Sequence, residues 1–172
     1  MTNHLQSLVA GGIAATMLTV AAGTAVLWAS ETPVPLASGQ WQITQAIETL
    51  EVPGLPAAMV ERMARDPKNA APRAFCLGAA SGGARPDPAL FHALGGDCAW
   101  ESWEAAGGML NARLACSPPA GAPGSASVSL SGTYTAQSFA LRSETIGRSD
   151  TGELELRLVA VLAGEHGGAC AS

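Results

Sequence analysis

The sequence predicts an all-β domain: an antiparallel meander of about six or seven strands that forms a curved sheet, a half-barrel or a barrel, with a sandwich as a further possible closure. Three observations support this prediction. Apolar and polar residues alternate along several segments, turn residues separate these segments, and four cysteines stand at separations that suit structural disulfides. One or two short helices and an N-terminal hydrophobic helix complete the expected fold.

The length and the charge of the chain exclude several classes of protein. Its 172 residues leave room for one domain, since domains commonly span about 100–200 residues. The chain carries 9 Lys and Arg against 14 Asp and Glu, and only 13% of its residues are charged. Because nucleic-acid binding needs a basic patch that neutralises phosphates, we expect no nucleic-acid partner.

The N-terminal residues form a segment of their own. No charged side chain precedes Glu31, and the stretch 8–28 is uncharged and largely apolar. We interpret residues 1–29 as a signal peptide or as a retained N-terminal membrane anchor. Both alternatives stay open, because the stretch is long for a signal and only mildly hydrophobic for an anchor. Residues 30–37 are then a linker, and residues 38–172 are a disulfide-stapled domain exported to the periplasm, with an inner-membrane anchor in the second alternative.

The first strand is predicted over residues 40–51. Its side chains alternate, and the expected inward row consists of Trp41, Ile43, Ile47 and Thr49. The proline-rich stretch 52–56 ends the strand, and residues 57–66 then place apolar side chains at helical spacing. We therefore expect a short surface helix that ends at Asp66 and Pro67.

The next segment predicts a brief strand and a helical turn. Residues 73–77 form the strand, and a loop rich in glycine and proline follows over 78–86. Asp87 is a suitable N-cap and Pro88 a suitable first helical residue, so one or two helical turns begin there. The apolar side of these turns consists of Leu90, Phe91 and Leu94.

The segment between Cys98 and Cys116 predicts a hairpin that turns at residues 106–108. On the inner face this register sets Cys98 opposite Cys116 and Trp100 opposite Leu114. A shift by one residue would set an apolar row against a polar row. The outer face of the same register consists of Glu101 opposite Arg113 and Trp103 opposite Asn111.

The hairpin register also predicts how the cysteines pair. Since Cys98 and Cys116 lie directly opposite each other, they form one disulfide, and by elimination Cys76 pairs with Cys170. The second bond ties the C-terminus to the middle of the chain and closes the longer loop. We therefore expect it to contribute more to the fold.

Two further hairpins are predicted in the last third of the chain. Apolar residues from Val128 to Tyr134 alternate with hydroxyl residues, and a turn at 136–137 sets Tyr134 beside Phe139. A second turn at 149–152 then defines four pairs, which are Arg148–Glu153, Glu144–Arg157, Thr145–Leu156 and Phe139–Leu162. On the last strand Val159 and Val161 make the outer face apolar as well. We expect a short helix or another strand to cover them.

Six short runs along the domain resemble a known family. They are Gly39-Gln40-Trp41-Gln42-Ile43, Val52-Pro53-Gly54-Leu55-Pro56, Phe75-Cys76-Leu77, Gly95-Gly96-Asp97-Cys98, Gly132-Thr133-Tyr134 and Gly168-Ala169-Cys170. In their order and spacing, over about residues 36–171, they resemble the family known as domain of unknown function 3617. The resemblance implies a bacterial, exported domain with four cysteines. It assigns no activity, cofactor or site residue to this chain.

Residues that could perform catalysis are scarce in the exported part. His92 and His166 lie far apart in the sequence and outside any metal or nucleophile motif. Cysteines in disulfides offer no thiolate, and glutamates that alternate outward on strands are typical of solvated or ion-paired side chains. We therefore predict that the protein is not an enzyme and that it uses no cofactor and no metal.

The inward aromatic residues are the one candidate for a binding site. Trp41, Trp100, Tyr134 and Phe139 either line an apolar pocket or fill the core. The favoured function is a non-catalytic periplasmic or envelope-associated domain, in which core filling is the simpler interpretation of these residues and a pocket would make an apolar small molecule the ligand. The alternatives are a structural or interaction module for envelope proteins, which uses a strand edge or the outward Trp103, and an unrecognised hydrolase. Membrane contact is expected only through residues 8–28, if they are retained.

Overall fold

The computed structural model describes residues 33–78, 85–91, 97–117 and 123–170. The predicted N-terminal helix therefore lies outside the described residues, as do His92 and Leu94. Over the described ranges, no helix combines the length and the apolar character needed to cross a bilayer.

Seven antiparallel strands form one sheet that curls into a half-barrel, which confirms the predicted fold class. The strands are β1 (Gly39–Glu51), β2 (Arg73–Leu77), β3 (Asp97–Ala106), β4 (Met109–Ser117), β5 (Ser125–Tyr134), β6 (Ser138–Arg148) and β7 (Leu154–Gly168). Their spatial order is β2-β1-β7-β6-β5-β4-β3, so β2 and β3 are the edge strands. From β3 to β7 the chain is a plain meander, and β1 then pairs with β7.

Three short helical elements connect the strands. They are α1 (Ala57–Ala64), α2 (Pro67–Ala70) and a 3₁₀ turn (Pro88–Leu90). The surface helix α1 was predicted, but Asp66 does more than end it. Its carboxylate accepts a hydrogen bond from the Lys68 amide at 2.9 Å, with Pro67 at the first helical position, and so begins α2. Both helices contact β1.

The concave face of the sheet carries the hydrophobic core. Alternate residues of each strand point inward, as the period of two requires. The most deeply buried side chains are Trp41, Ile43, Leu90, Leu110, Leu114 and Leu141. The β5–β6 hairpin has the predicted register, with Tyr134 opposite Phe139 and Gly132 opposite Leu141.

The β3–β4 hairpin has the predicted register at its open end. Cys98 lies opposite Cys116, and Trp100 lies opposite Leu114. A β-bulge between Trp100 and Ser102 then shifts the ladder by one residue.

Beyond this bulge the predicted pairs are wrong. Trp103 lies opposite Ala112 instead of Asn111, and Ser102 replaces Glu101 as the partner of Arg113. Because the shift is one residue, Trp103 turns from the predicted outer face to the core, where it is partly buried. The extra residue in β3, Glu101, is therefore the reason that Trp103 points inward.

The β6–β7 hairpin differs from the prediction by two residues. Its turn closes between Ser149 and Glu153, and a bulge follows near Gly147. The predicted strand partners of this hairpin were wrong, although Glu144 and Arg157 do form an ion pair. The observed partners are Thr145–Leu158, Glu144–Val159 and Phe139–Gly164. A shift of two preserves the face of each side chain from Phe139 to Gly147, so the predicted inner and outer rows are correct there. Beyond the bulge the shift is one residue, and Arg148 lies opposite Leu154.

A bulge in β1 reverses the predicted orientation of one residue. The ladder between β1 and β7 shifts between Ile47 and Thr49. Thr49 therefore lies opposite Val159 on the outer face, where it is exposed, instead of continuing the inward row. The single added residue, Glu48, accounts for this change.

Ion pairs cross the outer face of β7. Arg157 binds Glu144 at 2.8 Å and Glu51 at 3.5 Å, so the predicted Glu144–Arg157 pair forms diagonally across the strands. The hydrogen bond that Arg157 donates to Glu144 and the charges of both glutamates raise the pKa of Arg157 above its ordinary value. Arg142 of β6 reaches Glu48 of β1 at 3.3 Å, so this pair passes over β7.

These ion pairs lie over the apolar part of β7 that the sequence left unexplained. Val159 is 2% exposed, although it faces outward, while Val161 remains 37% exposed. Long charged side chains cover apolar surface with their methylene groups and keep their charges in water. We therefore attribute the burial of Val159 to this ion-pair layer.

Two disulfides fasten the sheet. Cys98 is bonded to Cys116 within one hairpin, and Cys76 is bonded to Cys170. Cys76 lies on β2 and Cys170 follows the end of β7, while β1 lies between these strands. The second bond therefore crosses β1 and ties an edge strand to the middle of the sheet.

Candidate functional site

Five aromatic side chains, here called the aromatic cluster, form a continuous group on the concave face. Its members are Trp41, Phe91, Trp100, Trp103 and Phe139. The ring centroids of Trp41 and Phe139 are 5.6 Å apart, and those of Phe139 and Phe91 are 5.2 Å apart. Phe91 continues to Trp100 at 5.7 Å, and the two tryptophans on β3 are 4.7 Å apart. These are the separations of aromatic rings in direct contact.

The cluster includes three of the four residues predicted to line a pocket or fill the core. Trp41 and Phe139 are buried, and Trp100 is partly buried near the edge of the sheet. The fourth, Tyr134, lies opposite Phe139 in the same core and is 6% exposed. In the described structure these side chains pack against one another.

A short segment, residues 85–91, lies over the concave face; we call it the cover segment. Asp87 accepts a hydrogen bond from the Ala89 amide at 2.8 Å, and Pro88 follows, so the predicted N-cap begins a single 3₁₀ turn. This turn directs Leu90 and Phe91 into the core, where they are 0% and 2% exposed. The cover segment thus adds two fully buried side chains that no strand provides.

Side chains from both edge strands hold the cover segment in place. Arg73 of β2 donates to the carbonyl oxygens of Ala89 at 3.3 Å and Leu90 at 2.6 Å. Trp100 of β3 donates from its indole nitrogen to the carbonyl of Pro86 at 2.9 Å. The segment therefore bridges the open side of the half-barrel.

The charge of Arg73 strengthens its two hydrogen bonds. Burial lowers the pKa of this guanidinium from its ordinary value, but an arginine remains charged at neutral pH. Hydrogen bonds from a charged donor contribute about 1.5–3 kcal/mol, which is more than neutral pairs contribute. Arg73 is thus the principal polar contact between β2 and the cover segment.

We expect Arg73→Met to loosen the cover segment without unfolding the sheet. The amides of Leu90 and Phe91, which donate to Asp87 and Pro88, should exchange with solvent at least about tenfold faster. Hydrogen exchange with mass spectrometry or NMR measures this rate. Arg148→Met is the matched control, because Arg148 donates to the Gly152 carbonyl in a distant exposed turn. Equal exchange rates in both variants would contradict the assigned role of Arg73.

Trp103 carries a buried donor that has no partner. Among the described side chains that are not exposed, its indole Nε1 is the one buried polar atom without a hydrogen bond. The Trp103 ring contacts the ring of Trp100, and its centroid lies 6.2 Å from that of Phe91 in the cover segment. A buried N–H group without a partner costs about 1–3 kcal/mol, and an acceptor within reach of Nε1 would remove this cost.

The structure describes one of the two histidines considered for catalysis, His166. His92 lies outside the described residues. The His166 ring is 3.0 Å from the carbonyl oxygen of Ser38 through Nε2, and its edge contacts Trp41 at 5.8 Å. Within the described ranges, no group of three His, Cys, Asp or Glu side chains could hold a metal ion.

The outer face of the sheet has two shallow depressions. One, of about 590 Å³, lies over strands β3–β6 between Ala99 and Arg148, and another, of about 510 Å³, lies beside Glu104 and Ser131. Their linings are mostly small and polar. They lack the concave shape and the apolar lining that are typical of small-molecule sites.

Comparisons with known proteins place the chain in one family. No curated protein and no solved structure matches the chain. A family model described as "Protein of unknown function (DUF3617)" matches residues 36–170, which include every described strand, the cover segment and all four cysteines. The chain therefore belongs to the DUF3617 family.

Proposed function

We propose that this chain is a non-catalytic exported domain that binds an apolar ligand at the open side of the half-barrel. The ligand carries a hydrogen-bond acceptor, as a long-chain fatty acid does. The observation that carries this proposal is the buried, unpartnered indole N–H of Trp103 within the aromatic cluster. An acceptor group at that nitrogen would remove the cost of the buried donor, while the acyl chain would contact the aromatic rings.

The cover segment supports the proposal because it already occupies the concave face with apolar side chains. Leu90 and Phe91 enter the core from a segment that has one helical turn and no place in the sheet. A ligand that displaces them would replace their apolar contacts with its own, so the exchange costs little hydrophobic free energy. The hydrogen bonds from Arg73 and Trp100 would set the cost of opening.

Export to the periplasm is supported by the two disulfides and by the apolar leader. Structural disulfides are typical of oxidising compartments and are rare in the cytosol. The uncharged stretch 8–28 is of the kind that directs a chain to the membrane. A domain in this compartment would meet lipids and other amphiphiles of the envelope.

A matched pair of variants tests the ligand. Trp103→Phe keeps an aromatic ring and removes the unpartnered N–H, so we expect palmitic acid to bind about tenfold more weakly. Binding of pyrene, which has no acceptor, should not change. Trp100→Phe is the control, because the Trp100 N–H is already bonded to Pro86, and it should affect both probes alike. Isothermal titration and intrinsic tryptophan fluorescence measure these affinities.

Two outcomes would contradict the ligand proposal. One is a wild-type protein that contains no lipid after extraction and binds neither probe at saturating concentration. The other is a Trp103→Phe variant that loses palmitic acid and pyrene equally, because the indole N–H would then have no part in recognition.

A second candidate is a protein-interaction module, favoured by the free edge of β3. Within the described part of the chain, β3 pairs with β4 on one side only. An exposed strand edge can accept an extended segment of another protein. Trp103, which the sequence predicted to point outward, cannot serve this function, since it faces the core. Crosslinking in envelopes tests this candidate. A crosslinker placed at Glu104 on β3 should capture a partner protein, and one placed at the control position Glu155 on β7 should not.

A further inference from the structure

One end of the half-barrel, here called the entry rim, consists of four described segments without a charged residue. They are residues 33–38, 106–109, 134–138 and 166–170. Backbone hydrogen bonds join them, from Ala37 to Ala136 at 2.7 Å, from Tyr134 to Gly108 at 2.8 Å and from His166 to Gln137 at 2.9 Å. The rim is therefore one connected surface.

The two ends of the sheet differ in charge. The strand ends and turns opposite the entry rim carry Glu51, Asp97, Arg148, Asp150 and Glu153. The entry rim instead exposes apolar side chains, with Val34 53% exposed and Met109 50% exposed, and the exposed Glu165 borders it opposite Ser138. An uncharged surface with exposed apolar side chains suits contact with the interfacial region of a bilayer.

The chain itself connects this rim to the apolar leader. The uncharged stretch 8–28 ends only a few residues before Pro33, where the described structure begins. Since consecutive Cα atoms are about 3.8 Å apart, Pro33 lies within about 19 Å of Trp28 in any conformation. From Ala37 onward the chain is bonded to the rim, so no long linker separates the domain from the leader.

We propose that the entry rim rests on a lipid bilayer, with residues 8–28 retained as the membrane anchor. A stretch of this length is sufficient to cross the hydrocarbon core. The short connection keeps the rim at the surface, where Val34 and Met109 contact lipid and the charged end points away. This proposal is independent of the ligand at the aromatic cluster, since it concerns another surface of the domain.

Photocrosslinking to lipid tests this orientation. The full chain is reconstituted in vesicles of phosphatidylethanolamine and phosphatidylglycerol, with p-benzoylphenylalanine replacing Met109 or, in the matched protein, Asp150. Both positions lie at exposed turns, on opposite ends of the sheet. We expect lipid adducts from position 109 and only background from position 150, measured by mass spectrometry.

A charge placed in the rim provides a second measurement. Val34→Asp should lower the yield of lipid adducts at position 109 about fivefold, because the anionic lipid surface repels the added carboxylate. Val161→Asp adds the same charge to the outer face of β7 and should leave the yield unchanged. Three outcomes would overturn the proposal: equal adducts at both ends, no adducts at position 109, or a full chain that does not insert into the vesicles.

Discussion

Replacing Gly164 by alanine should destabilise the domain by about 2 kcal/mol, because the new methyl group would overlap a buried ring. Gly164 lies directly opposite Phe139, and a Cβ atom at this position would lie 2.2 Å from two atoms of the ring. The ring cannot move aside easily, since it is packed between Trp41 and Phe91. Urea unfolding measures the loss.

Gly167→Ala is the matched control for this prediction. A Cβ atom there would meet nothing closer than 3.6 Å, so its effect should stay within about 0.5 kcal/mol. In the double variant Gly164→Ala/Phe139→Leu, the smaller side chain should make room for the methyl group. The double variant should then lose about 1 kcal/mol less free energy of unfolding than the sum of the losses measured for the two single variants. An unfolding midpoint of Gly164→Ala equal to that of wild type would contradict the packing described for Phe139.

The strands were predictable because alternation depends only on local sequence. The outward and inward rows of β5 and β6 agree with the structure, and so does their turn. A half-barrel was one of several predicted closures, and the sequence alone left the choice open. Closure depends on the twist and bulges of all seven strands together, which no single segment specifies.

The inward orientation of Trp103 was not predicted because the turn between β3 and β4 was assigned three residues, 106–108, whereas the observed turn has two. Gly107 and Gly108 both have positive φ angles, 57° and 74°, which a two-residue turn requires and which glycine adopts without strain. A two-residue turn and directly opposed cysteines cannot share one uninterrupted register. The bulge between Trp100 and Ser102 reconciles them. The glycine pair was therefore the available signal for an inward Trp103.

The cover segment shows another limit of sequence reasoning at the candidate site. Asp87 and Pro88 correctly predicted a helical turn, and Leu90 and Phe91 were correctly assigned to its apolar side. Their insertion into the half-barrel depends on Arg73 and Trp100, which are distant in sequence. Arginine on a short edge strand normally indicates solvent exposure, so nothing local indicated that Arg73 holds backbone carbonyls at the core.

The packed aromatic cluster and the proposed ligand site are compatible if the cover segment exchanges with the ligand. A core that is filled in the absence of ligand avoids exposing Trp41 and Phe139 to water. The ligand must then compete with Leu90 and Phe91, so variants that release the cover segment should bind more tightly. Arg73→Met is such a variant, and its hydrogen exchange and its affinity for palmitic acid should therefore rise together.

Removing the Cys76–Cys170 disulfide should cost more stability than removing Cys98–Cys116. The bonds close loops with sequence separations of 94 and 18 residues. In the loop-entropy model these closures are worth about 4.7 and about 3 kcal/mol, so the double variant Cys76→Ser/Cys170→Ser should lose more free energy of unfolding than Cys98→Ser/Cys116→Ser. Urea unfolding of both double variants measures the difference.

The position of each bond in the sheet strengthens this order. Without Cys98–Cys116, the β3–β4 ladder and its turn still hold the two strands in register. Without Cys76–Cys170, the five-residue edge strand β2 is held by its pairing with β1, by the packing of Phe75 and Leu77 against the core and by the hydrogen bonds of Arg73. The cover segment should then exchange faster as well, which links this bond to the open side of the half-barrel. A larger loss from the hairpin bond would show that local packing around Cys116 outweighs loop closure.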